Sequence, residues 1–120
     1  MQYLCPAGDS RLESGLEVRL DRQDGPYYVV LFRRSGQIHA YANVCPHQGR
    51  NLSWAPNRFL LETDGILVCP HHGAGFDVTT GKCISGPCQG SFLERMDIEL
   101  REDGVWIRQE TEAGDQQPDA

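Results

Sequence analysis

Two short stretches carry the same pair of metal-binding side chains, Cys45-Pro46-His47 and Cys69-Pro70-His71-His72, with residues 48 to 68 between His47 and Cys69. Each half offers one sulfur and one imidazole. A zinc finger instead places two cysteines in one knuckle and two histidines on a following helix, and the sequence predicts no such helix here. Mixed halves suit a two-iron centre, where each of two facing loops gives its cysteine to one iron and its histidine to the other. Spacing alone permits either His71 or His72 as the second imidazole.

Such a centre needs a rigid frame, and the chain has room for only one. At 120 residues the sequence amounts to one domain, too little for separate catalytic and cofactor domains. Apolar residues at 39% and charged residues at 23% are ordinary globular usage, which argues against disorder through most of the chain. No apolar run approaches the ~20 residues of a membrane span, and Met1 to Pro6 lacks an export signal, so a cytoplasmic protein without a membrane partner is expected. In that compartment thiols stay reduced, and the odd set Cys5, Cys45, Cys69, Cys83 and Cys88 points to metal binding.

The formal charge of −6 is concentrated at one end. Glu110, Glu112, Asp115 and Asp119 fall in the last eleven residues, which contain no base, and the remaining body is nearly neutral with Lys82 as its single lysine. That body has no electrostatic footprint for nucleic acid or an anionic membrane. Residues 110 to 120 read as a disordered acidic tail, and 1 to 109 as the folded domain.

The frame reads as β structure. Strand-like runs at Glu17 to Leu20, Tyr27 to Phe32 and Ile38 to Tyr41 are punctuated by Asp24-Gly25-Pro26 and Ser35-Gly36, a three-stranded meander. Ile66 to Val68 follows a turn at Asp64-Gly65, and Met96 to Leu100 meets Val105 to Ile107 across Asp103-Gly104. The best helix candidate, 51 to 61, contains Pro56 and supports a turn or two at most. Between 43 and 90 the composition shifts to Cys, His, Gly and Pro, a loop-rich insert where glycine permits positive φ or close approach.

The ligand pattern resembles the C-x-H…C-x-x-H-G signature of Rieske iron–sulfur proteins, at Cys45, His47, Cys69, His72 and Gly73. Gly75-Phe76-Asp77, Thr80-Gly81 and Gly86-Pro87 resemble that family's strand after the second loop, its following turn and its covering proline loop. The resemblance spans roughly residues 2 to 108. It implies an all-β, Rieske-like fold, an antiparallel base of small stacked sheets with a cluster-binding subdomain at about 43–90. It also implies one [2Fe-2S] cluster per chain, held by Cys45, His47, Cys69 and His72. The span between the motifs is longer than usual for the family, through the Trp54 to Arg58 region.

Two ferric ions, two sulfides and two thiolates make a neutral oxidised centre, whereas an all-cysteine cluster starts with two negative charges. Accepting an electron is therefore less opposed, and Rieske potentials lie above those of plant-type ferredoxins. High-potential members have a disulfide bracing the loops and hydroxyl donors to the cluster. At those positions this chain has Arg50 and His71, and Ala74 and Phe76. The expectation is a potential at the low end of the range, toward about −150 mV.

By this resemblance the chain is an electron-transfer protein with no catalytic residues of its own, a monomer passing electrons from a flavin-dependent reductase to a terminal oxygenase. An alternative is the small iron–sulfur subunit of a larger reductase, as in nitrite reductase, or a redox-sensing module. An oxygenase in its own right would need a mononuclear iron with two histidines and a carboxylate, and only His39 and His71 remain once the cluster is ligated. Cys83 and Cys88 are expected as small buried hydrophobes in preference to a disulfide or extra ligand, Cys5 as a buried or strand-end thiol, His39 as an ordinary strand side chain, and Trp54 and Phe92 as core in preference to docking surface.

Overall fold

The computed structural model describes residues 1–23, 25–46, 51–55, 57–62, 64–70 and 73–108. Among these are ten strands, one 3-10 turn at Ser10–Glu13 and no α-helix. The all-β expectation holds.

The strands form three antiparallel sheets. The largest pairing joins β2 (Leu16–Arg22), β3 (Gly25–Arg34) and β4 (Gln37–Ala42), in register from Leu16↔Leu31 to Arg22↔Gly25 and from Val29↔Ala42 to Arg34↔Gln37. These are the β-branched and aromatic runs of the meander. Ser35 and Gly36 join β3 to β4 with φ of 56° and 78°, both in the left-handed region that a two-residue hairpin turn matching the strand twist requires. Gly25 and Pro26, expected in a turn, are instead the first residues of β3, and Asp24 lies outside the described residues.

A four-stranded sheet orders β5 (Leu60–Leu61), β6 (Ile66–Val68), β7 (Gly75–Asp77) and β8 (Cys83–Ser85). The helix considered over 51 to 61 is absent among the described residues there: Ala55 bridges Arg58, and β5 follows. β5 and β8 are too short for the alternation that reveals a strand in sequence.

The chain divides into two compact units, one of Met1–Asp9 with the chain from Met96 onward, the other Ser10–Arg95. The first contains β1 (Gln2–Cys5), β9 (Ile98–Arg101) and β10 (Gly104–Ile107), in the order β1-β10-β9. Cys5, at the end of β1, is buried as expected, with Val105 and Ile107. Across the β9–β10 hairpin Arg101 pairs with Gly104, so Glu102 and Asp103 make the turn, and Gly104 already belongs to the strand.

The second unit holds the meander, the four-stranded sheet and one buried cluster that includes Val30, Phe32, Tyr41, Leu52, Leu67 and Phe76. Burying each such side chain contributes about 1.5–3 kcal/mol. Trp54 and Phe92 are not in it; both are 57% exposed, which corrects the expectation that they are core. Phe92 bridges Lys82 and its neighbour Leu93 is buried, so alternation turns Phe92 outward. Trp54 opens a small turn closed by its own N–H donating to the Arg58 carbonyl at 2.9 Å.

Candidate metal centre

β4 ends at Ala42, and the first ligand motif follows at once. Asn43 is 1% exposed and satisfies its polar atoms within the loop. Its Oδ1 accepts the Leu52 N–H at 2.7 Å, and its Nδ2 donates to Glu17 Oε2 at 2.9 Å and Ser53 Oγ at 3.2 Å. Its backbone N–H donates to the Tyr28 carbonyl at 3.0 Å. One buried amide thus ties the start of the loop, two residues before Cys45, to its return at Leu52 and to both neighbouring strands. The far side is anchored by Asn57, whose Oδ1 accepts the Glu17 N–H at 2.7 Å.

The second motif sits in the turn from β6 to β7. The Cys69 N–H donates to the Ala74 carbonyl at 2.8 Å, and the Gly73 N–H donates to the Cys69 carbonyl at 2.9 Å. Beyond β8 a third loop comes close to it. A Cβ placed on Gly86 would lie 2.8 Å from Ala74 Cα, and Gly86 has a φ of 91°, so two requirements converge on glycine there. The expected proline loop therefore packs on the second motif.

Cys45 and Cys69 are each 2% exposed and share the buried cluster with Ala74, Phe76, Cys83 and Cys88. All five cysteines of the chain are thiols rather than disulfides. His47, His71 and His72 lie outside the described residues, as does Arg50. Among the described residues no group of three or more His, Cys, Asp or Glu gathers as a metal site. The donor set still fits an iron–sulfur centre. Two buried thiols, one from each motif and neither consumed in a disulfide, are soft ligands held in an apolar surround. Ala74 and Phe76 are both fully buried in that surround and bring no hydroxyl to it.

The other two thiols touch each other, closer to the less favoured disulfide reading than to two separate space-fillers. Cys88 Sγ donates to Cys83 Sγ at 3.1 Å, and Cys83 Sγ donates to the Ser85 carbonyl at 3.2 Å. Burial first, then the neighbouring sulfurs of Cys83 and Cys45, pushes the Cys88 thiol up to about 12. Cys83, Cys88 and the nominated ligand Cys45 share the same buried cluster. Both cysteines are buried, as expected, but they are partners rather than isolated space-fillers.

The sheet beneath is braced by Tyr41 and Arg95, unremarked in the sequence. The Tyr41 hydroxyl donates to the Val78 carbonyl at 2.7 Å, while Arg95 Nη2 donates to the Thr79 carbonyl at 3.0 Å and to the Tyr41 oxygen at 3.2 Å. The guanidinium lies 5.2 Å from the Tyr41 ring centroid. These bonds fasten β4 to the turn after β7. His39, on the same strand as Tyr41, is 7% exposed, and its Nε2 has no hydrogen-bond partner among the described residues. Burial and the Arg95 charge lower its pKa, with Asp77 opposing.

Short antiparallel sheets with a buried cysteine at each of two loops suit a metal-binding β protein, and comparison with known proteins gives its family. The chain belongs to the Rieske [2Fe-2S] domain family, whose pattern matches residues 2–102, and its cofactor class is accordingly a [2Fe-2S] cluster. It is 36% identical over 70 residues to the ferredoxin component of the alkene monooxygenase system of Xanthobacter autotrophicus, covering 57% of this chain and 54% of that protein. It is 31% identical over 85 residues to the 3-phenylpropionate/cinnamic acid dioxygenase ferredoxin subunit of Escherichia coli, covering 71% of this chain and 72% of that one. Human apoptosis-inducing factor 3 is also 31% identical over 85 residues, but the chain spans only 13% of its length.

Among solved structures, a chain from the complex of reduced oxygenase and oxidized ferredoxin in carbazole 1,9a-dioxygenase aligns with a TM-score of 0.65 at 28% identity, covering 88% of this chain and 99% of that one. The ferredoxin of carbazole 1,9a-dioxygenase from Nocardioides aromaticivorans aligns with a TM-score of 0.64 at 20% identity, over 88% of this chain and 93% of that one, a likeness of fold.

Proposed function

We propose that this chain is a one-electron carrier, not an enzyme, whose [2Fe-2S] cluster is held by Cys45 and Cys69 on one iron and His47 and His72 on the other. When bound, such a cluster accepts and releases a single electron at a potential above that of all-cysteine clusters. The observation that carries the reading is the pair of buried thiols at the starts of two loops that share one apolar cluster. The residues of the chain supply the rest. Asn43 holds the first loop against the sheet, Gly86 lets the third loop close over the second, and Leu52 and Phe76 keep water from the sulfurs.

The donor is a flavin-dependent reductase and the acceptor a terminal oxygenase, in the cytoplasm. The oxygenase systems to which the similar ferredoxins belong support the acceptor half of this reading. No helix among the described residues is long and apolar enough to cross a membrane. A monomer whose interfaces are small and quickly released suits exchange with two partners in turn. Residues 1–109 form the Rieske domain, with the cluster-binding part at about 43–90.

Single replacements of the adjacent histidines test the ligand set. His72→Ala is expected to abolish the visible absorption of the purified protein, and His71→Ala to leave it. The reverse pattern transfers the ligand role to His71. Reduction by a flavin reductase followed by reoxidation by an oxygenase tests the carrier role, and co-purification with a large reductase subunit would overturn it.

A further inference from the structure

We infer that Cys83 and Cys88 form a redox-active dithiol that takes a small hydroperoxide as its oxidant and closes to a disulfide beside the metal centre. This goes beyond electron carriage and does not depend on it. The two sulfurs lie 3.1 Å apart, one at the start of β8 and the other in the loop that follows it. That loop is pinned by its own backbone: the Cys83 N–H donates to the Ser91 carbonyl at 2.7 Å, the Gly90 N–H to the Cys83 carbonyl at 3.0 Å, and the Ser91 N–H to the Cys88 carbonyl at 2.9 Å. A disulfide needs the sulfurs at about 2.05 Å, so closure asks for a movement of about 1 Å between a strand residue and the loop that returns beside it.

Accessibility selects the oxidant. Cys88 is 7% exposed and Cys83 fully buried, which admits a molecule near the size of water and shuts out a bulky disulfide. With hydrogen peroxide, two S–H bonds and the O–O bond break, while one S–S bond and two O–H bonds form. The sulfurs lose two electrons, the peroxide gains them, and two waters leave. Cys88, the less buried of the two residues, is attacked first, and Cys83 resolves its sulfenic acid.

Trypsin isolates the pair, because Lys82 and Arg95 flank a single peptide, 83–95, that contains both cysteines and neither nominated ligand. The cluster-loaded protein, titrated with hydrogen peroxide, is quenched in acid, alkylated under denaturing conditions and digested. The expected result is a peptide lighter by two hydrogen atoms that has lost both alkylation sites and regains them with dithiothreitol, while the visible absorption of the cluster persists. Cys83→Ser should eliminate the two-hydrogen loss. The proposal is overturned if the peptide stays fully alkylated, if either cysteine proceeds to sulfinic acid, if Cys88 is found joined to Cys45, or if the absorption decays before the pair closes. A protein that never shows cluster absorption contradicts the carrier reading alone, since the peptide measurement still reports on the pair.

Discussion

Asn43 Oδ1 accepts the Leu52 backbone N–H at 2.7 Å inside the protein, closing the loop that begins two residues before Cys45. Replacing Asn43 by alanine leaves that N–H buried without a partner, at a cost of about 1–3 kcal/mol. Denaturant unfolding should show the loss, and cluster occupancy should fall with it. Asn43→Asp retains the acceptor but sets a carboxylate against Glu17, so it should recover only part of the stability. Equal stabilities for the alanine variant and the parent would exclude the brace.

Gly86 and Gly36 share positive φ but not surroundings. A Cβ on Gly36 meets nothing within 4 Å, whereas one on Gly86 would press on the Ala74 backbone. Gly36→Ala should therefore cost only the strain of a left-handed residue, about 1–2 kcal/mol. Gly86→Ala adds displacement of the third loop from the second, and should cost more and weaken cluster retention. Thermal unfolding and iron content of the two variants provide the comparison.

Much of this frame was legible in the sequence. The runs at Tyr27 to Phe32 and Ile38 to Tyr41 became β3 and β4, and Ser35-Gly36 became their turn, because alternation and turn chemistry agree there. Cys45, Cys69 and the glycines around them marked the site through spacing. Asn43, Arg95 and the Cys83–Cys88 contact were not legible, since each acts through partners distant in sequence or through a loop whose closure no local pattern encodes. Trp54 and Phe92 misled for the opposite reason: their type favours burial, but a tight turn and strand alternation expose them.

His39 makes stability depend on pH. Its folded pKa lies below the ordinary 6.5, lowered by burial and by Arg95 and opposed by Asp77. The unfolded chain then binds more protons than the folded one as pH falls through 6.5, so the contribution is complete above that value and is lost on acidification below it. His39→Gln should flatten this acid limb in denaturant midpoints measured from pH 7 to 5. An unchanged slope would contradict the assignment.

Cys88 should also tune the metal centre. It shares one buried apolar cluster with Cys45 and Cys69, part of the surround that sets the potential of a cluster held there. Cys88→Ala empties part of that surround and is expected to shift the midpoint potential by an amount on the order of tens of mV. Cys88→Ser, close to the parent in volume, should shift it less. Protein-film voltammetry of the three proteins at one pH distinguishes these outcomes.

The central claim is a cluster bound by two sulfurs and two imidazoles. Electron paramagnetic resonance of the purified protein after anaerobic reduction with dithionite tests it most directly. The account predicts a rhombic signal integrating to one spin per chain, from a protein that is red-brown before reduction. A colourless, silent protein containing zinc would contradict it.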